Sequence, residues 1–186
     1  MANNIKERLD KLKEKMQTED FLHGRGLSNE VNIWMFCYEA KDEPIISHTV
    51  EQIKCDTLLR CHIHECNLYD IFINICRDKR ILDRIDGMEE RKGTDFLLRQ
   101  LQSNITVEQF VKKMQYEMTP GKDVLLITGV GDVFPFMRIH ALLEGMQPYF
   151  SSVPILVMYP GTFNGSEVRL FDILKPNPYY RAFNII

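Results

Sequence analysis

Gly129, Gly131, Arg138 and His140 fall within twelve consecutive positions of this chain. A glycine turn lets backbone N–H groups approach a ligand. A guanidinium pairs bidentately with carboxylate or phosphate, and an imidazole can shuttle a proton. Each has a plainer alternative. Gly129-x-Gly131 lacks the third glycine of a dinucleotide fingerprint, because Phe134 stands there. No G-x-x-x-x-G-K-[ST] string occurs anywhere. Asp132 would repel a phosphate and can cap a helix itself. The turn therefore reads first as close packing of a strand against a helix. Arg138 is equally a solvated helix arginine, and His140 lies on the apolar stripe, where a hydrogen-bonded core residue is the commoner case.

The other chemical groups are sparser. Cys61–Cys66 reads CHIHEC, and as a strand it puts His62, His64 and Cys66 on one face. Zinc needs three or four convergent ligands. No second ligand pair with recognisable spacing exists, so no metal is assigned. The serines lie outside any G-x-S-x-G elbow, and no nucleophile–base pair stands out. No catalytic residue and no cofactor are assigned. Tyr179, Tyr180, Arg181 and Phe183 form an aromatic–arginine group with the composition of interface hot spots and of single-strand stacking platforms. Alternation along a strand would put Tyr179, Arg181 and Phe183 on one face. An edge strand covering the core explains the same residues.

The elements that must position these groups follow from periodicity. Residues 4–17 form an amphipathic helix with Ile5, Leu9, Leu12 and Met16 on one face. Residues 23–29 are a glycine-containing loop. Val31–Tyr38 is an interior strand, Glu39–Pro44 a turn, and Ser47 caps a helix over 48–60 with Val50, Ile53 and Leu58 inward. After the CHIHEC strand, Asn67 caps a helix whose apolar stripe runs from Leu68 to Cys76. A charged helix continues through 78–92, Gly93 interrupts it, and a further turn or two covers 94–102. Thr106-x-x-Gln109 is a capping box for a helix bearing Val107, Phe110, Val111, Met114 and Met118. Val124–Ile127 is a buried strand without polar alternation. Pro135 sits at the first position of the next helix, which carries Phe136, Ile139, His140, Leu143 and Met146. Val153–Tyr159 is another buried strand, and 160–165 a loop at its carboxyl end. Residues 168–174 fit a short strand or a helix, and 179–186 a final strand.

Strands alternating with helices indicate an α/β fold. The expectation is a single Rossmann-like domain over 1–186, with a mostly parallel sheet flanked by helices and a mainly helical insertion at 68–118. The 186 residues are 45% hydrophobic and 26% charged with a net charge of −3, so no basic field draws the chain to nucleic acid or membrane. No stretch approaches the ~20 apolar residues of a transmembrane helix. The start has no apolar signal region, and five cysteines, an odd number, read as reduced thiols. The expected location is the cytoplasm.

TGVGDVFPFMRIHALLEGMQ, VPILVMYPGTFNG, LFDIL and YYRAFNII together resemble the BrxB family of BREX bacteriophage-exclusion systems. NLYDIFINI and EERKG fit the same pattern upstream. Phe134 and Phe163 stand where tyrosine is common in that family, Ile139 where a small polar residue is common, and CHIHEC is particular to this chain. The resemblance implies a role in bacterial anti-phage defence, in systems that mark self DNA by adenine methylation. It implies a core component without catalytic activity, acting with other BREX proteins such as the methyltransferase, the large ATPase and PglZ. It places Gly129, Gly131, Pro135, Arg138, His140, Tyr159, Pro160, Gly161, Tyr179, Tyr180 and Arg181 on a shared functional or scaffold surface. Two functions follow. The first is an assembly factor docking onto another BREX protein, with PglZ preferred. The second is a ligand- or nucleotide-binding or enzymatic Rossmann-like domain resting on the loops at 129–132 and 160–165, and direct binding of DNA or RNA is a further reading.

Overall fold

The computed structural model describes residues 5–24, 32–179 and 181–186. Asn4, most of the predicted glycine loop, the first residue of the predicted strand Val31–Tyr38 and the candidate residue Tyr180 lie outside the described residues. The fold is α/β. Five parallel strands, β1 (Ile33–Tyr38), β2 (His62–Asn67), β3 (Asp123–Thr128), β4 (Ile155–Phe163) and β7 (Phe183–Asn184), lie in the order β2-β3-β4-β1-β7. Every residue of β3 is buried, as its unalternating sequence predicts. β4, rather than β3, has the middle position.

Helices cover both faces of the sheet. One layer holds α1 (Ile5–Lys15), α2 (Glu19–His23) and α3 (Glu43–Cys55), packed on Phe36, Tyr38, Leu126, Leu156 and Met158. The other holds α4 (Leu68–Asp78), α6 (Thr94–Asn104), α7 (Val107–Met114) and α8 (Ile139–Met146), packed on Met35, Leu125, Ile127, Val157 and Tyr159. Helix α5 (Ile85–Lys92) buries no residue. The helical run between β2 and β3 is therefore α4 to α7. It is not continuous after α4: Arg80 turns back at φ 56° and a 3-10 turn at Leu82–Arg84 precedes α5. Short α2 was not expected. Thr18 caps it by accepting from the Phe21 amide, and Gly24 closes it in the left-handed conformation.

Asn67 ends β2 and caps α4, its side-chain oxygen accepting from the amides of Tyr69 and Asp70 at 3.0 and 3.2 Å. Those amides have no intrahelical partner. Asn67→Ala is expected to cost about 1 kcal/mol, measurable as a lower urea midpoint with unchanged slope.

Four local expectations are corrected. Helix α3 starts at Glu43 with Pro44 in its first turn, so Pro44 opens the helix and Ser47 lies inside it. Leu58 falls beyond its end and is 88% exposed. Pro135 does not begin α8. The chain after β3 makes successive turns, with Val133 donating to the Gly129 carbonyl and Phe136 and Met137 to that of Val133. Helix α8 starts only at Ile139, so Phe136 stands outside it and stacks on Phe72 with ring centres 4.3 Å apart. Pro160–Phe163 is not loop but the end of β4, pairing antiparallel with β5 (Glu167–Leu170), which in turn pairs with β6 (Asn177–Pro178). The last residues do not form one long strand. Only Phe183–Asn184 pair with β1, Tyr179 is buried and Arg181 exposed, so the predicted common face does not exist.

Candidate functional site

The turns before α8 and the β5–β6 hairpin face each other across a cleft of ≈ 210 Å³. Val130, Phe134, Met137 and Ile139 line one side, Val168, Leu170 and Leu174 the other. Arg138, His140, Lys175, Asn177 and Tyr159 supply the polar groups. Arg138 is the N-cap residue of α8, in extended conformation, and its side chain makes no capping bond. Its guanidinium lies 5.9 Å from the Phe134 ring centre and donates to the Asn177 side-chain oxygen at 3.4 Å. Among the described residues no carboxylate pairs with Arg138 or Lys175. His140, in the first turn of α8, is half-buried. Burial and then the Arg138 charge lower its pKa, against a smaller opposing effect of Glu144. Tyr159 reaches the cleft from β4 and is 1% exposed. Burial first, then Cys37 and Asp172, raises its hydroxyl, so it remains a neutral donor.

Arg138, His140 and Tyr159 thus meet in one place. Gly131 and Pro160 stand nearby, where a Cβ on Gly131 would come within 2.9 Å of the Phe171 ring and 3.3 Å of Pro160. Gly129 does not belong to this cleft. It has φ +67°, and a Cβ there would lie 2.5 Å from the Asn67 oxygen that caps α4. Gly161 holds the β4–β5 pairing. Tyr179 is buried beneath α8, where burial pushes its hydroxyl up to about 12. Arg181 donates to the Gln147 side-chain oxygen at 3.0 Å, at the far end of α8. Lys175 and Asn177 were not singled out from sequence. Their signal is the spacing Lys-Pro-Asn-Pro, in which two prolines restrict the backbone on either side of Asn177.

The carboxyl edge of β2 and β3, the usual ligand position in such sheets, is acidic instead. Gly129 lines a second cleft of ≈ 130 Å³ with Glu43, Glu51, Glu65 and Asp132. Glu65 accepts from Thr128 Oγ1 at 2.6 Å and pairs with Lys54 at 2.6 Å, while Glu43 accepts from the Tyr38 hydroxyl at 2.6 Å. A phosphate there would meet several carboxylates; Lys54 offsets Glu51 and Glu65, while among the described residues no cation pairs with Glu43 or Asp132.

The histidines of β2 serve the strand. His64 stacks on Tyr116 with ring centres 3.7 Å apart, and His62 Nδ1 lies 3.3 Å from Asp123. Burial pushes the Cys66 thiol up to about 12, away from the thiolate a metal would need. Among the described residues no three His, Cys, Asp or Glu side chains are arranged to hold a metal ion, and no helix is long and apolar enough to cross a membrane.

The family model described as BREX protein BrxB matches residues 64–185. A BREX protein BrxB of Bacillus cereus (strain H3081.97) is 35% identical over 98% of this chain and 97% of its own length. A BREX protein BrxB of Escherichia coli O9:H4 (strain HS) is 25% identical over 96% of this chain and 90% of its own. No solved structure matches.

Proposed function

Since the chain belongs to the BrxB family of BREX anti-phage defence proteins, we propose that it works there as a non-catalytic assembly subunit, docking onto a second BREX protein, with PglZ the preferred partner. The observation that carries the docking surface is at the end of α8. Tyr149 is 52% exposed, two residues beyond Gln147, and Gln147 holds the exposed Arg181. Exposed tyrosine and arginine side chains are among the types that dominate protein-interface energetics. The Gln147 bond fixes Arg181, so less side-chain entropy is lost on docking. The nucleotide-binding alternative gains nothing from the acidic carboxyl edge of β2 and β3.

Co-expression with the PglZ protein of the same locus, followed by gel filtration and mass determination, tests the reading. A stable complex is expected. The Tyr149→Ala, Arg181→Ala double variant should bind at least about tenfold more weakly, the effect of losing one good interface anchor, with its melting temperature unmoved. Separate elution of the two proteins would remove PglZ as partner. Full binding by the double variant would remove this surface.

A further inference from the structure

The cleft before α8 is furnished for a ligand. Arg138 and Lys175 bring two cationic groups to it without a carboxylate on either. Glu144 and Asp172 act on His140 and Tyr159 respectively and pair with neither cation. Helix α8 has eight residues, no acidic residue in its first turn and no side-chain cap. Its first amides therefore lack intrahelical acceptors at the positive end of the helix dipole. A separate observation comes from β4. Tyr159 is 1% exposed and lines the cleft, yet its hydroxyl has no hydrogen-bond partner among the described residues. Its phenolic O–H is therefore open to a ligand acceptor at the cleft wall.

The rest of the lining is apolar: Val130, Phe134 and Met137 against Val168, Leu170 and Leu174. The volume of ≈ 210 Å³ lies below the ~300–1,000 Å³ of sites for drug-sized ligands, so a whole nucleotide does not fit. We propose that this cleft binds a small organic anion, one carboxylate or phosphate head on a compact apolar body. The head would be held by Arg138, Lys175, the Tyr159 hydroxyl and the first amides of α8, and the body would lie between Phe134 and the β5–β6 hairpin. This site is independent of the docking surface at the other end of α8.

The test is an amide NMR titration of the full chain with phenylacetate and with phenyl phosphate, which separates the two head groups. Benzyl alcohol supplies the same ring without charge. Saturable shifts at 138–141 and 168–177 are expected with at least one anion and not with benzyl alcohol. The head group giving the tighter binding identifies the class. Lys175→Ala and Tyr159→Phe should each weaken that binding about tenfold, as loss of a hydrogen bond to a charged group does. The Tyr159→Phe spectrum should otherwise be unchanged. Absence of saturable shifts with both anions would overturn the proposal. So would equal binding of benzyl alcohol, or undiminished binding by both variants.

Discussion

Gly161→Ala is expected to lose about 3–5 kcal/mol of folding stability, from backbone strain and overpacking together. Gly161 lies in β4 opposite Leu170 of β5, with φ +152°. A Cβ built there would overlap the Arg169 carbonyl oxygen and approach the Phe171 amide nitrogen to 3.0 Å. Both neighbours are backbone, Arg169 within β5 and Phe171 just beyond it, so neither can turn aside as a flexible side chain would. The Phe171 amide already donates to the Pro160 carbonyl at 2.8 Å, and opening the pair to admit a methyl group breaks that bond. The urea midpoint should fall by about 1–2 M for a slope of a few kcal/mol per M. A fall of less than about 0.3 M would mean that β4 and β5 do not pair in this register. Because β5 forms one wall of the cleft, any folded residue of the variant should also lose the anion binding proposed above.

The second large effect is expected at Phe110. It is fully buried in α7, within the core layer formed with α4, α8 and the sheet. Phe110→Ala should cost about 3–5 kcal/mol, because the lost transfer energy adds to an incompletely collapsed cavity. For a chain of this size that lowers the melting temperature by about 6–20 °C, read by circular dichroism. Leu58→Ala makes the control. At 88% exposure it should change stability by no more than about 0.5 kcal/mol. Equal losses in the two variants would contradict the layer described.

The apolar runs at 31–38, 124–127 and 153–159 announced the parallel sheet because strands buried on both faces need no polar alternation. Asn67 and the Thr106–Gln109 capping box were legible because orphan helix amides demand specific acceptors. Pro160 misled for a physical reason. Proline usually ends a strand because it cannot donate to the ladder. Here it pairs with Tyr38, the last residue of β1, where the ladder ends in any case, and its carbonyl opens the pairing with β5. Pro135 misled because a proline that fits the start of a helix fits a turn equally well, and the turn hydrogen bonds between Gly129 and Met137 are set by tertiary packing.

The candidate cleft was half legible. Arg138 and His140 come from one helix start, and Tyr159 from the neighbouring strand. Lys175 and Asn177 arrive only after a hairpin, and no local pattern carries that return. The Tyr179–Phe183 group was visible as composition, but alternation was the wrong rule for it. The chain there pairs only at Phe183 and Asn184, so Tyr179 and Arg181 point to different environments.

The strand order has a consequence for how the chain folds. β1 is made early, yet both its neighbours, β4 and β7, come from the last part of the sequence, with Ile33 opposite Ile155 and Met35 opposite Asn184. During synthesis IWMFCY must wait, apolar and unpaired, until nearly the whole protein has emerged. Contacts of such sequence separation carry a large loop-closure cost and slow the search for the native pairing. The β2–β3 pair and its helices can assemble first, with β1 closing the sheet last. Synthesis that stops before β4 leaves a strand with no partner in its own chain, free to pair with another.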